Sequence, residues 1–147
     1  MGAAYFYQLR RPLGAALAPL LARATAQGWR VAVRGTDADR LRDLDEALWT
    51  DPPESFLPHG MEGEPRDAEQ PVLLTLGAGV GAFQCLMAVH GARVGADEAR
   101  ALERCCVLFD EAETPGARAL WKDLTGAGVP AQYWAEEGGR WQKKAEA

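Results

Sequence analysis

The sequence has little of what most catalytic, metal-binding or membrane sites require. His59 and His90 are its only histidines, and neither stands near cysteines or carboxylates at metal-ligand spacing. Each could serve as a base or a ligand, but a lone histidine is more often structural. No run approaches the roughly 20 apolar residues of a membrane span, and the first residues do not resemble a signal peptide. We therefore expect a cytoplasmic protein with no metal and no membrane partner.

Positive charge is also scarce. The 147 residues include 16 Lys and Arg against 21 Asp and Glu, which gives a formal net charge of -5 at pH 7. Proteins that coat nucleic acid need a net or clustered positive surface to meet the phosphates. The charge therefore predicts that any contact with DNA is indirect, through another protein.

Cysteine is limited to Cys85, Cys105 and Cys106. This odd number lies in apolar surroundings without the CxxC or Cys/His spacing of a zinc site or a disulfide framework. Buried free cysteine usually behaves as a small apolar residue. The three are therefore predicted to be reduced core thiols.

Motifs for chemistry are few. The GAGVG run at 77–81 resembles part of a dinucleotide-binding fingerprint, but the third glycine that would open a helix is missing, so a turn is the favoured interpretation. Asp43 and Asp45 would point to different faces of a helix, so they predict an acidic surface rather than an acid/base pair. The sequence has no phosphate loop and no GxSxG elbow. It thus gives no positive evidence for an enzyme, a catalytic residue or a cofactor, although a small nucleotide-binding α/β enzyme using the 77–81 turn remains the alternative.

Short β-rich runs alternate with helical stretches along the chain, a pattern typical of a mostly parallel sheet flanked by helices. We predict one Rossmann-like three-layer α/β domain over residues 1–138, followed by a mobile tail at 139–147. Pro19 falls inside the first helix, where proline either kinks a helix or marks its start. The segment 50–70 is rich in proline, glycine and acids and predicts a long ordered loop. Strands are expected near 5–9, 30–34, 71–76, 84–89, 105–109 and 131–134, and helices over 13–27, 37–49, 96–102 and 112–127.

One segment identifies a family. Residues 44–63 read LDEALWTDPPESFLPHGMEG, and Gln70-Pro71-Val72 follows at the start of a strand. The Leu-Asp-Glu and Leu-Trp pairs, the Glu-Ser-Phe and Pro-His loop, and the Gln-Pro-Val strand together resemble the signature of the DNA polymerase III chi subunit family. The aromatic first strand, the entry to the second strand at 28–31 and the helix around 117–122 are also similar, so the resemblance covers nearly the whole chain.

The resemblance implies a non-catalytic accessory subunit of the polymerase III holoenzyme. Such a protein links the clamp loader, through the small psi subunit, to the C-terminal tail of single-stranded-DNA-binding protein. That tail is acidic and ends in an aromatic residue with a free carboxylate. A receptor for it needs an apolar slot beside positive charge.

The last helix is the expected receptor for the tail. Arg118 and Lys122 lie on its outer side, and Trp121 lies at the border of the buried stripe. The pattern alone favours a plain surface, with Trp121 covering the core margin and two solubilising cations. The resemblance reverses this interpretation, because related proteins use this helix and its arginine for the tail. Thr114 departs from the family, where a further basic residue is common. Three other cations could replace it: Arg104, Lys143 and Lys144.

The loop that carries the motif is the second expected site. The resemblance implies that Phe56 contacts psi or a competing accessory helicase, with Leu57 and His59 beside it. An aromatic between prolines makes a sensible anchor because a rigid loop loses little entropy on docking. Trp49 could line the same surface or could be a core residue at the helix end.

Overall fold

The computed structural model describes residues 2–50 and 58–147. Within these two ranges no helix combines the length and the apolar character needed to cross a membrane. The strands are β1 (Ala3–Gln8), β2 (Val31–Arg34), β3 (Gly60–Met61), β4 (Val72–Thr75), β5 (Cys85–Ala88), β6 (Arg104–Phe109), β7 (Ala131–Glu137) and β8 (Arg140–Glu146). The helices are α1 (Leu13–Ala26), α2 (Ala38–Thr50), α3 (Ala96–Ala101) and α4 (Thr114–Gly126), with a 3-10 turn at Asp67–Glu69.

The strands form one sheet in the order β3-β4-β2-β5-β6-β1-β7-β8. Every neighbouring pair is parallel except β7 and β8, which are antiparallel. Leucines of α1 and α2 pack in one cluster on the sheet, and residues of α3 and α4 pack in a second cluster. The two clusters share no residue, as expected when helices cover both faces of the sheet. The predicted three-layer α/β fold is confirmed.

The local sequence explains these elements. Strands β4 and β5 are buried along their whole length, and their unbroken apolar runs match strands covered on both faces. Helix α2 begins after Asp37, whose Oδ1 accepts hydrogen bonds from the backbone N–H of Asp39 at 2.8 Å and of Arg40 at 3.1 Å. Asp37 is thus the N-cap of α2. Pro19 lies inside α1 and does not mark its start.

All three cysteines are buried and free. Cys105 and Cys106 are neighbours on β6, and Cys85 lies on the adjacent β5. Burial raises the pKa of the Cys105 thiol to about 12, so this thiol stays protonated at neutral pH. Their position agrees with the prediction of core residues.

The C-terminal residues differ from the sequence prediction. The segment 139–147 was expected outside the domain, but Arg140–Glu146 forms β8, which pairs with β7 at the edge of the sheet. Gly138 and Gly139 join the two strands, with φ of 58° and 78°. A two-residue hairpin turn favours glycine because both central residues adopt positive φ. The charged composition of β8 gives no alternating pattern from which a strand could be predicted. The Gly138-Gly139 pair was the one sequence signal for a hairpin turn.

The loop predicted for 50–70 is also more structured than expected at its described end. Gly60–Met61 pairs with β4 as β3, and the 3-10 turn follows. A two-residue strand is too short to show any periodicity in a sequence, so pattern alone could not predict it.

Candidate functional site

The glycine-rich run at 77–81 packs against the chain's own side chains. Gly79 has a φ of +80°, and a Cβ there would lie 2.8 Å from the ring of Phe83. A Cβ on Gly81 would lie 2.6 Å from a guanidinium nitrogen of Arg30. The run leads into β5 and not into a helix, so the amides and dipole that would hold a pyrophosphate are not in place. This geometry agrees with the predicted turn.

Two arginines brace the same turn. Arg34 donates to the carbonyl oxygen of Gly77 at 2.7 Å and to the Glu98 carboxylate of α3, with Nη1–Oε1 at 2.9 Å. Arg30 donates to the carbonyl oxygen of Val80 in the turn and to that of Gln70 outside it, and its guanidinium stacks 4.2 Å from the centroid of Phe83. The turn is therefore tied to the rest of the domain by protein groups.

A mostly apolar cleft lies between α4 and the β7–β8 hairpin. Its volume is about 450 Å³. Three aromatic side chains line it: Phe6 of β1, Trp121 of α4 and Tyr133 of β7. The Trp121 ring lies 5.3 Å from that of Phe6 and 6.3 Å from that of Tyr133, both edge to face. We call this site the aromatic cavity.

Cations surround the aromatic cavity. Arg118 and Lys122 lie one turn apart on α4, both line it, and both are exposed. Across the ranges 2–50 and 58–147, neither has an ion-pair partner. Their charge is therefore available to an anion that enters the cavity.

Lys144 of β8 supplies a third cation to the aromatic cavity. In the β7–β8 ladder Tyr133 pairs with Ala145 and Trp134 pairs with Lys143, which leaves Lys144 as the extra residue of a β-bulge. A bulge re-aims the side chain that it carries. Lys144 lines the aromatic cavity and forms an ion pair with Glu137 at the end of β7.

The structure thus brings Arg118, Trp121 and Lys122 together at the aromatic cavity. Of the three cations considered in place of Thr114, only Lys144 lines the cavity. Arg104 instead lies over the rings of Tyr5 and Trp29, at 4.5 and 5.3 Å from their centroids. Lys143 lies 3.4 Å from Glu146.

Sequence reasoning missed two walls of the cavity, Phe6 and Tyr133. Each lies directly beside another aromatic residue of its strand, and consecutive side chains of a strand point to opposite faces of the sheet. Phe6 and Tyr133 are register partners in the parallel pairing of β1 with β7. Only the pairing of strands distant in sequence shows that they share a face with Trp121.

The second predicted surface is only partly described. Trp49 at the end of α2 is 48% exposed, and its ring stacks against His59 with centroids 4.1 Å apart. His59 is 3% exposed, and its Nε2 lies 3.1 Å from the carbonyl oxygen of Asp45 and 3.1 Å from its Oδ1. Burial raises the pKa of the Asp45 carboxyl, against the opposing effect of His59. Phe56 and Leu57 lie outside the described residues.

Trp49 and His59 resolve a choice that the sequence left open. Trp49 is a surface residue at the helix end, and His59 is a buried support beneath it. Trp49 and His59 form what we call the α2 surface, on the face of the sheet covered by α1 and α2. The aromatic cavity lies on the α4 face.

These features define a class: a Rossmann-like three-layer α/β domain whose glycine-rich turn lacks the helix of a dinucleotide site. The chain belongs to the DNA polymerase III chi subunit family, HolC, whose family model matches residues 1–132. The family predicted from the motif at 44–63 is thereby confirmed, and with it an accessory role in DNA replication. No curated protein matches the chain. Strand β8 lies beyond the matched residues.

Proposed function

We propose that this protein is a non-catalytic, cytoplasmic adaptor of the polymerase III holoenzyme. In this proposal it links the clamp loader to the acidic C-terminal tail of single-stranded-DNA-binding protein. The supporting observation is the aromatic cavity, which combines three rings with the side chains of Arg118, Lys122 and Lys144.

The chemistry of the cavity suits a peptide that ends in a ring and a carboxylate. A terminal aromatic ring entering the cavity would pack against Trp121 and Tyr133, with Phe6 buried beneath them, in the edge and face contacts that aromatic groups prefer. Its carboxylate would lie near Arg118, whose planar guanidinium can donate two parallel hydrogen bonds. Acidic residues preceding the ring would meet Lys122 and Lys144 at the rim.

The α2 surface is proposed as the site for psi or for an accessory helicase. Trp49 offers a large exposed ring that is already oriented by His59, so little freedom is lost when a partner covers it. Phe56 and Leu57 follow Trp49 closely in sequence and belong to the same proposed surface.

The tail proposal is tested by titrating a fluorescent copy of the acidic tail into the protein and following anisotropy. Arg118→Ala should weaken binding about 10- to 100-fold, because hydrogen bonds to charged groups contribute roughly 1.5–3 kcal/mol. A peptide without its terminal aromatic residue, or with an amidated terminus, should lose a comparable amount. Arg42→Ala removes an exposed arginine from α2 and should leave the affinity unchanged.

Equal binding by Arg118→Ala and Arg42→Ala would refute this location for the tail. Raising the salt concentration should weaken binding without abolishing it, since burial of the ring is not screened as the charges are. Complete loss at moderate salt would contradict a contribution from the rings.

The psi proposal is tested separately with Trp49→Ala in co-purification with psi or the helicase. This variant should lose the partner and retain the tail peptide, while Arg118→Ala should behave in the opposite way. Loss of both ligands in one variant would contradict two separate surfaces, provided that circular dichroism shows a folded domain.

A further inference from the structure

A second cleft of about 430 Å³ lies between α1 and β8. Three guanidinium groups line it, from Arg11, Arg23 and Arg140, together with the ring of Trp141. Trp141 packs with the side-chain cluster under α1 and α2, whereas the aromatic cavity adjoins the cluster under α3 and α4. This cleft, which we call the arginine cleft, therefore lies on the opposite face of the sheet from the aromatic cavity.

Trp141 is a fixed part of this cleft. It is half-buried, and its ring meets that of Tyr7 at a centroid distance of 5.0 Å with the planes inclined by 63°. Tyr7 is itself buried in the central strand β1. The indole is thus anchored on one side by the core while it lines the cleft on the other, which makes it a preformed surface for stacking.

Within the described residues, carboxylates balance only part of the positive charge of the cleft. Arg11 forms an ion pair with the buried carboxylate of Glu136. In the part of the chain that the structure describes, Arg23 and Arg140 have no carboxylate partner, and both are exposed. Two guanidinium groups therefore remain available on a chain whose formal net charge is -5.

We propose that the arginine cleft binds a short stretch of single-stranded DNA. Single strands are bound without sequence preference where cations meet the phosphates and an aromatic side chain stacks on a base. Arg23 and Arg140 supply the cations, and Trp141 supplies the ring. The volume lies within the range of sites that enclose a small organic ligand, which suits one or two nucleotides.

The composition of the cleft favours a nucleic acid over a second acidic peptide. The aromatic cavity has three rings, which suit an apolar side chain, whereas the arginine cleft has one ring among three guanidinium groups. Guanidinium groups match phosphate geometry bidentately and are more weakly hydrated than lysine ammonium groups. The negative net charge of the protein weakens such contacts but does not prevent them. Salt screens distant charges, so the arginines nearest the phosphates have the largest effect.

The proposal goes beyond the predicted indirect contact with DNA and does not depend on the tail. A bound single strand on the α1 face would leave the aromatic cavity free for its peptide. The protein would then hold the DNA and the protein that coats it on two faces of one sheet.

The test is the anisotropy of a fluorescent oligothymidylate titrated with the full chain at low salt. We expect saturable, weak binding whose logarithm falls with the logarithm of salt concentration at a slope of about -1.4, as two phosphate contacts on a single strand require. Arg23→Ala and Arg140→Ala should each weaken binding at least about threefold and reduce the slope by about half. Arg42→Ala is the charge-matched control and should bind as the wild-type protein does.

Further measurements distinguish the arginine cleft from the aromatic cavity. Arg118→Ala should bind the oligonucleotide normally, so the outcome does not depend on the tail proposal. Trp141→Phe should weaken binding while keeping a ring against Tyr7, and thermal melting would report any loss of fold. No saturable binding at low salt, or equal behaviour of Arg23→Ala, Arg140→Ala and Arg42→Ala, would overturn the proposal. Displacement of the oligonucleotide by polyglutamate at an equal concentration of charge would instead assign the cleft to acidic peptides and would also overturn it.

Discussion

Trp121 meets Phe6 edge to face, with ring centroids 5.3 Å apart and planes inclined by 68°. Phe6 is fully buried on the central strand β1, so the indole is positioned by the core of the domain rather than by the surface of α4. A peptide that enters the aromatic cavity therefore meets a wall that needs little ordering. Preorganisation of this kind improves affinity by reducing the entropy lost on binding.

Trp121→Ala should consequently affect both binding and stability. Removal of a half-buried indole should lower the free energy of unfolding by about 1–3 kcal/mol, less than for a fully buried ring. Binding of the tail peptide should fall by more than the change in folded population explains. Urea denaturation and peptide anisotropy measure the two effects. Trp121→Phe should recover most of the stability, and unchanged peptide affinity in Trp121→Ala would contradict a role for the ring.

The ion pair between Arg34 and Glu98 predicts a specific pH dependence. The hydrogen bond from Arg34 is the main cause that lowers the pKa of Glu98 below its ordinary value of 4.5. A lowered folded-state pKa contributes stability above pH 4.5, and this contribution is lost as the pH falls through the folded value. Since the Glu98 side chain is 36% exposed, solvent screening limits the effect to roughly 1 kcal/mol or less.

Urea midpoints measured between pH 6 and pH 3 would check this expectation. The wild-type protein should lose more stability over this range than Glu98→Gln does. Asp45 and Glu113 have raised pKa values from burial, and their contributions run in the opposite direction. Both proteins share those two groups, so the difference between the curves reports on Glu98. Parallel curves would rule out this assignment.

Gly79→Ala should destabilise the protein, because φ at this position is +80° and a Cβ would lie 2.8 Å from Phe83. We expect a loss of about 1–3 kcal/mol in the free energy of unfolding. Gly77→Ala is the matched control, since a Cβ there has no neighbour within 4 Å.

ATP, GTP and NAD should not raise the melting temperature of the wild-type protein. A rise that disappears in Gly79→Ala would revive the nucleotide-binding alternative.

The fold was largely predictable because its strands and helices have clear periods and end signals. Helix α2 begins at its Asp37 cap, and the buried strands carry unbroken apolar runs. The edge strands were not predictable in the same way, since β3 has two residues and β8 is mostly charged. Such strands form because a neighbouring strand offers hydrogen-bonding groups, which is information that lies elsewhere in the chain.

The same distinction applies to the aromatic cavity. Arg118, Trp121 and Lys122 share one helix, so their spacing alone placed them together. Phe6 and Tyr133 reach them through the parallel pairing of β1 with β7. Contacts between residues so far apart in sequence are set by the topology of the sheet, and no local pattern reports them.

Lys144 is the cation of the cavity that depends most on tertiary structure. It takes its place because a β-bulge opposite Tyr133 and Trp134 leaves it as the extra residue of β8. Lys144→Ala should weaken binding of the tail peptide about two- to fivefold, the range expected for an exposed charge pair. Lys143→Ala is the matched control, because its neighbour is Glu146 and it does not line the cavity.

Substitution of Glu137 should change the affinity for the tail peptide in the opposite direction to substitution of Lys144. Its pKa is lowered by the hydrogen bond with Lys144, so it is ionised at neutral pH and would compete with the proposed peptide for that cation. Glu137→Gln should therefore strengthen tail binding in the wild-type background and have no effect in Lys144→Ala. Isothermal titration of the two single variants and the double variant would measure this coupling. If the effects of the two substitutions on affinity are additive, Lys144 acts independently of Glu137. Equal losses of affinity in Lys144→Ala and Lys143→Ala would exclude a specific contact by Lys144.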